Sequence, residues 1–186
     1  MMKVAIRSYY YTERQIEKIV NAQSARFSFA TQIVAATGIR GSELLTLQRC
    51  NERPPTATNN KLDIKNVLGT AYTVKGIDSV IREIIIPAHL VEQLELLHLD
   101  KPRIVINRGV SHETTYNLAG GQRWSTSFTK ASKRALGWTD GAHGLRQTYA
   151  KNRIYIIRQK YTHKTALEIL SCELGVSIQS VNIYLR

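Results

Sequence analysis

The stretch HGLRQTYAKNR, residues 143 to 153, sets His143 and Arg146 three positions apart at the predicted start of a helix. That spacing places an imidazole and a permanent cation on one helical face, and the free amides of the first turn add positive potential there. The natural guest of such a face is a phosphate or a carboxylate. Taken alone, the pattern favours a plainer arrangement, a His143 that caps the helix or packs beside Trp138, with Arg146 solvated. A second arginine sharpens the question. Arg40 lies in TGIRGSELL, an otherwise apolar context in which a guanidinium needs a partner. Glu43, three positions on, is placed to hold it.

The charge of the chain points the same way. Twenty-six Lys and Arg against 14 Asp and Glu give a formal charge of +12, and the excess is spread along the sequence. This favours a polyanionic partner, most simply nucleic acid, where neutralised phosphates release counterions. No basic amphipathic helix with a clean apolar face argues for a lipid surface. Other chemistries find little support. HETTY (residues 112 to 116) has a tyrosine where a zinc-binding HExxH needs its second histidine, and no glycine-rich loop could cradle a nucleotide. Cys50 and Cys172 are far apart and outside any CxxC, against a disulfide framework or a structural zinc site. The chain reads as soluble and untargeted, suited to a reducing cytoplasm, with no stretch near the run of about 20 apolar residues that spans a bilayer.

At 186 residues and 43% hydrophobic content the chain can bury one core, and a single domain over residues 1 to 186 is expected. Thr12 and Gln15 form a capping box that opens a helix running to about Ala25. FSFATQIVAAT, residues 27 to 37, predicts a buried helix stopped by Gly38. A third helix is expected from about Gly41, with Leu44, Leu45 and Leu47 inward. After a Pro- and Thr-rich loop, KLDIKNV, TAYTVK and SVIREIII read as strands of a small antiparallel sheet, with a turn at residues 75 to 79. Pro87 opens a helix to about Leu99, RIVIN is one more short extended piece, and residues 109 to 121 read as a polar loop. Helices are predicted over 122 to 136, 143 to 159, 162 to 174 and from 178 onward. The fold class is α+β, mostly α: a helical bundle with a small antiparallel sheet.

Four segments, in order, resemble the catalytic domain of the tyrosine recombinases, the phage integrase family. TGIRGSELLTLQ resembles the family's first arginine box, and HGLRQTYA its second. QSVNIYL ends in a tyrosine at the place of the nucleophile, and Lys75 stands where the family carries a β-hairpin lysine. The resemblance implies site-specific DNA cleavage and rejoining by an enzyme of a mobile element or phage, acting without a cofactor or metal. It assigns Arg40 and Arg146 to the scissile phosphate, Tyr184 to a 3′-phosphotyrosyl link, His143 to proton transfer and Lys75 to protonation of the departing 5′-oxygen. The residue types suit the chemistry. A pentacoordinate phosphorus carries extra negative charge that fixed guanidinium forks can hold. A phenol with a pKa near 10 needs a base and positive potential to attack.

The chain also departs from the pattern. The family places a histidine or tryptophan shortly before the nucleophile, and this sequence has Gly175 or Val176 there, which by loss of one donor could cost about two to three orders of magnitude in rate. The family's N-terminal DNA-binding domain has no counterpart in the sequence, and only two residues follow Tyr184. A monomer that assembles as a dimer or tetramer on double-stranded DNA is the expectation, with a cytoplasmic or nucleoid location in a bacterium or in a phage host. Two alternatives stand beside it. ALEILSCELGVSIQSVNIYL also resembles a helix-turn-helix, compatible with a catalytically silent DNA-binding relative. A type IB topoisomerase-like strand transferase would share the chemistry without the site specificity.

Overall fold

The computed structural model describes residues 10–56, 68–76 and 78–185. Its elements follow in the order α1 (Glu13–Asn21), α2 (Ala25–Thr37), a single 3-10 turn (Glu43–Thr46), β1 (Gln48–Arg49), β2 (Gly69–Lys75), β3 (Ile81–Pro87), α3 (Ala88–Glu95), β4 (His98–Asn107), β5 (Val110–Tyr116), α4 (Gly121–Leu136), α5 (His143–Ile157), α6 (His163–Leu174) and α7 (Ile178–Leu185). The mostly helical α+β class expected from the sequence is the architecture found.

Local chemistry fixes the ends of the helices that matter for the site. The Thr12/Gln15 capping box opens α1, and both of its reciprocal hydrogen bonds are present. Gly38, with φ +65°, closes α2 in the left-handed conformation that only glycine adopts without cost, directing the chain back toward Arg40. Gly175 does the same for α6, with φ +58°. The hydroxyl of Ser177 accepts from the Ser180 amide and caps α7.

β1, β2 and β3 form one antiparallel sheet, in that order, and β4 and β5 a separate two-stranded ribbon. In β3 burial alternates residue by residue, so Arg82, Ile84 and Ile86 share the inward face. The major core joins α1, α2 and α4 to this sheet, with Trp124, Tyr11, Phe29 and Phe128 fully buried. A smaller core, built from Ala150, Ile154, Leu170, Leu174 and Val181, holds α5, α6 and α7 together. Gly38 belongs to the seam between them, its Cα facing the Tyr149 ring and Leu174 so closely that a Cβ would lie 2.4 Å from Tyr149 Cδ1.

Several predicted boundaries are corrected. The third helix is only the four-residue 3-10 turn Glu43–Thr46. Leu44, Leu45 and Leu47 are buried as expected, but the chain must be extended by Gln48, which pairs with Thr73, leaving no room for an α-helix. Residues 109 to 121 are not a polar loop throughout, because Val110–Tyr116 pairs with β4 and extends RIVIN into a ten-residue strand. The turn between them is Arg108-Gly109, both at positive φ (50° and 77°), the two-residue geometry that matches the twist of a hairpin. The helix after Pro87 ends at Glu95, since the chain enters β4 at His98. The strand predicted at KLDIKNV lies outside the described residues.

Candidate active site

An open groove of about 870 Å³ runs between the 3-10 turn, the β2–β3 hairpin, the β4–β5 ribbon and the start of α5. Arg40, Lys75, His143 and Arg146 all line it, brought together from the connection after α2, the end of β2 and the first turn of α5. Arg53 and Arg108 add to its positive wall, while Glu113 is the acidic side chain among its described lining residues. Tyr184 joins from α7. Its ring meets the His143 imidazole edge-on, centroids 5.2 Å apart at 63°, and the Arg146 guanidinium carbon lies 5.6 Å from the centre of the same ring. Trp138, the neighbour considered for His143, stacks instead on Tyr11, with centroids 5.2 Å apart.

Arg146 is 2% exposed and is held by backbone. Its Nη1 donates to the Gly38 carbonyl at 2.6 Å and its Nη2 to the Leu174 carbonyl, while its buried Nε has no partner. One guanidinium therefore ties the end of α2 to the end of α6. Burial lowers its pKa from the ordinary value and the Glu43 carboxylate opposes this, yet a guanidinium stays protonated.

Arg40 is the more accessible of the pair, its side chain 28% exposed. Glu43, fully buried, takes the Arg40 amide on Oε2 at 2.6 Å and Arg40 Nη1 on Oε1 at 3.2 Å, as the three-residue spacing predicted. Arg40 Nη2 donates to the Gly175 carbonyl at 3.1 Å. The turn after α6 thus presents backbone carbonyls to both arginines and, at Gly175, no side chain.

His143 is exposed at the first residue of α5, though the protein packed around it and then the charges of Arg146 and Arg40 lower its pKa. The neutral imidazole is the dominant form at neutral pH. Lys75 ends β2 with an exposed side chain, and its backbone amide donates to Thr46 Oγ1 at 3.0 Å, which fastens the hairpin to the 3-10 turn beside Arg40.

One residue escaped the sequence reading. Arg82, 5% exposed, donates from Nη2 to Glu43 Oε2 at 2.8 Å, so a single carboxylate carries two arginines. In VIREIII apolar residues fall on both faces of the strand, so the sequence marks a strand without marking Arg82 as inward. A second buried pair, Arg153 with Glu173 at 2.6 Å, and the Tyr149 hydroxyl on the same carboxylate at 3.0 Å, brace α5 against α6 behind the site. No cluster of three or more His, Cys, Asp or Glu placed to hold a metal ion occurs among the described residues. No helix among them is long and apolar enough to cross a membrane.

No protein-family model matches the chain, and no curated protein matches it in sequence. Solved structures do match. XerA recombinase superposes with a TM-score of 0.60 at 17% identity, over 100% of this chain and 61% of its own. XerH site-specific recombinase bound to its difH substrate gives 0.55 at 18%, over 100% and 53%. A lambda integrase dimer bound to a COC′ core site gives 0.55 at 16%, over 99% and 49%. The chain accordingly spans about half to three-fifths of the length of the proteins it resembles. At these identities the likeness is one of fold, and the chain has the catalytic-domain fold of the tyrosine recombinases.

Proposed function

We propose that the chain cleaves and rejoins DNA through a 3′-phosphotyrosyl intermediate, as the site-specific recombinase or integrase of a mobile element or phage. The observation that carries this reading is the packing of Tyr184 on His143 and Arg146 of its own chain, beside Arg40, at one end of a cationic groove. Arg40 and Arg146 bind the non-bridging oxygens of the scissile phosphate and stabilise the charge that builds on phosphorus. The Tyr184 oxygen attacks phosphorus, its proton passing to neutral His143. The P–O5′ bond breaks, and Lys75 protonates the leaving oxygen. The ester to tyrosine conserves the bond energy, so a 5′-hydroxyl reverses the step and reseals a strand. Double-stranded DNA is the partner, on which two or four copies assemble.

A second reading, a catalytically silent DNA-binding relative, is favoured by one observation: both arginines spend donors on carbonyls at the end of α6, and Gly175 has no side-chain donor to add, its amide being bonded to the Cys172 carbonyl. A nicked or suicide DNA substrate separates the two. Accumulation of protein covalently joined to a 3′-phosphate supports the enzyme, and retention of DNA with no covalent species supports the silent relative.

A further inference from the structure

Arg82 stands where the alternation of β3 calls for an apolar side chain, in line with Ile84 and Ile86. Its Nη2 is spent on Glu43, and its Nε and Nη1 are buried without a partner. Removing a guanidinium from water at such a position is costly unless something is gained. Counting the groups around Glu43, Arg40 and Arg82 both bond to the one carboxylate, and both act electrostatically on Arg146. Three cations therefore share one buried anion.

The turn after α6 is shaped around the same side chain. A Cβ on Gly175 would lie 2.6 Å from Arg82 Nε and 3.0 Å from its Cδ. Arg82 thus fills, from the strand side, the space a side chain at position 175 would enter from the end of α6. It touches both things that hold Arg40: the Glu43 carboxylate and the peptide at Gly175 whose carbonyl receives Arg40 Nη2.

We infer that Arg82 is a positioning residue for Arg40: it neutralises and anchors Glu43, so that Arg40 is oriented by that carboxylate yet keeps a net positive charge for a phosphodiester. Without Arg82, Arg40 and Glu43 form a neutral pair, and the attraction for an anion falls with the lost charge. The role rests on the proposed reading of Arg40 as a phosphate ligand.

The test uses the intact chain with Arg82→Lys, Arg82→Met, Glu43→Gln and the double variant Arg82→Met/Glu43→Gln. Covalent adduct formation at saturating DNA and the DNA dissociation constant are measured separately, and inorganic phosphate is titrated by NMR of ¹⁵N-labelled protein. Arg82→Met lowers the adduct rate constant roughly a hundredfold, as misplacement of a clamp does, with DNA affinity nearly unchanged. It weakens phosphate binding about tenfold, and Arg82→Lys restores most of that loss because the charge is kept. Should Arg82→Met fail to fold, the comparison of Glu43→Gln with the double variant still reads the charge that Arg82 supplies to the site, since the carboxylate it neutralises is absent from both. The variant retaining Arg82 binds phosphate about tenfold more tightly. Equal phosphate affinity in either comparison, or an unchanged adduct rate in folded Arg82→Met, overturns the inference. Absence of any adduct from the unmodified chain contradicts the recombinase reading instead, and the phosphate titration still decides the role of Arg82.

Discussion

Tyr184 lies over Arg146 of the same chain, with the guanidinium carbon 5.6 Å from the ring centre, and Arg146 in turn is bonded to the carbonyls of Gly38 and Leu174. The electron-rich face of the phenol meets a desolvated cation, which favours docking of α7 on α5. The same guanidinium closes the seam between the two cores, so the proposed phosphate contact and the stability of the fold depend on one side chain.

Replacing Arg146 by Met leaves two buried carbonyls without donors. Loss of about 2–4 kcal/mol of unfolding free energy is expected, read from urea titration, together with loss of DNA cleavage. Arg146→Lys recovers only part of either, since an ammonium cannot fork between Gly38 and Leu174. A fully stable Arg146→Met protein would contradict this description of the seam.

His143 gives a prediction in pH. Its pKa in the folded chain lies below the ordinary 6.5, so on acidification the unfolded chain takes up its proton first. The contribution of His143 to stability is complete above about pH 6.5 and is lost as pH falls through the lowered folded value. NMR titration of its ring is expected to give a midpoint below 6.5 in the free protein, moving upward when inorganic phosphate binds and opposes the charges of Arg146 and Arg40. A midpoint at or above 6.5 without phosphate would show that these cations do not act on it as described.

Gly175→Ala meets two penalties, a left-handed φ of +58° and a Cβ 2.6 Å from Arg82 Nε. The backbone term alone is about 1–2 kcal/mol. The loss measured by chemical denaturation should exceed this in the native background and shrink toward it in Arg82→Ala, where the side chain that collides is gone. Equal losses in both backgrounds would place Arg82 away from the turn.

What could be read from the sequence follows the range of the interactions. His143 with Arg146, and Arg40 with Glu43, are pairs three residues apart, and local spacing was enough to bring the members of each pair together. Tyr184 needed the family pattern, because its partners are 41 and 38 positions away and Ile178, Val181 and Leu185 offered an ordinary apolar stripe instead. The backbone carbonyls that hold Arg146 leave no mark on composition or period. Arg82 was passed over because the β-branched run around it announced a strand without announcing which face was inward. β5 was hidden by its polar residues, since SHETTY pairs through its backbone in a ribbon that is exposed toward its turn and buried only from Thr114 to Tyr116. The 3-10 turn replaced a helix because the demand of Gln48 to enter the sheet overrode a good local helical pattern.

The most direct measurement is covalent trapping. The chain and its Tyr184→Phe variant are incubated with supercoiled plasmid and labelled duplex fragments of the source genome, quenched with SDS and resolved before and after protease. Phenylalanine keeps the ring that packs on His143 and Arg146, so both proteins should melt alike and bind DNA alike. A protease-sensitive adduct from the native chain alone is the predicted result. An adduct that persists in Tyr184→Phe would contradict the assignment of the nucleophile, and binding by both proteins with no adduct from either would contradict the enzyme.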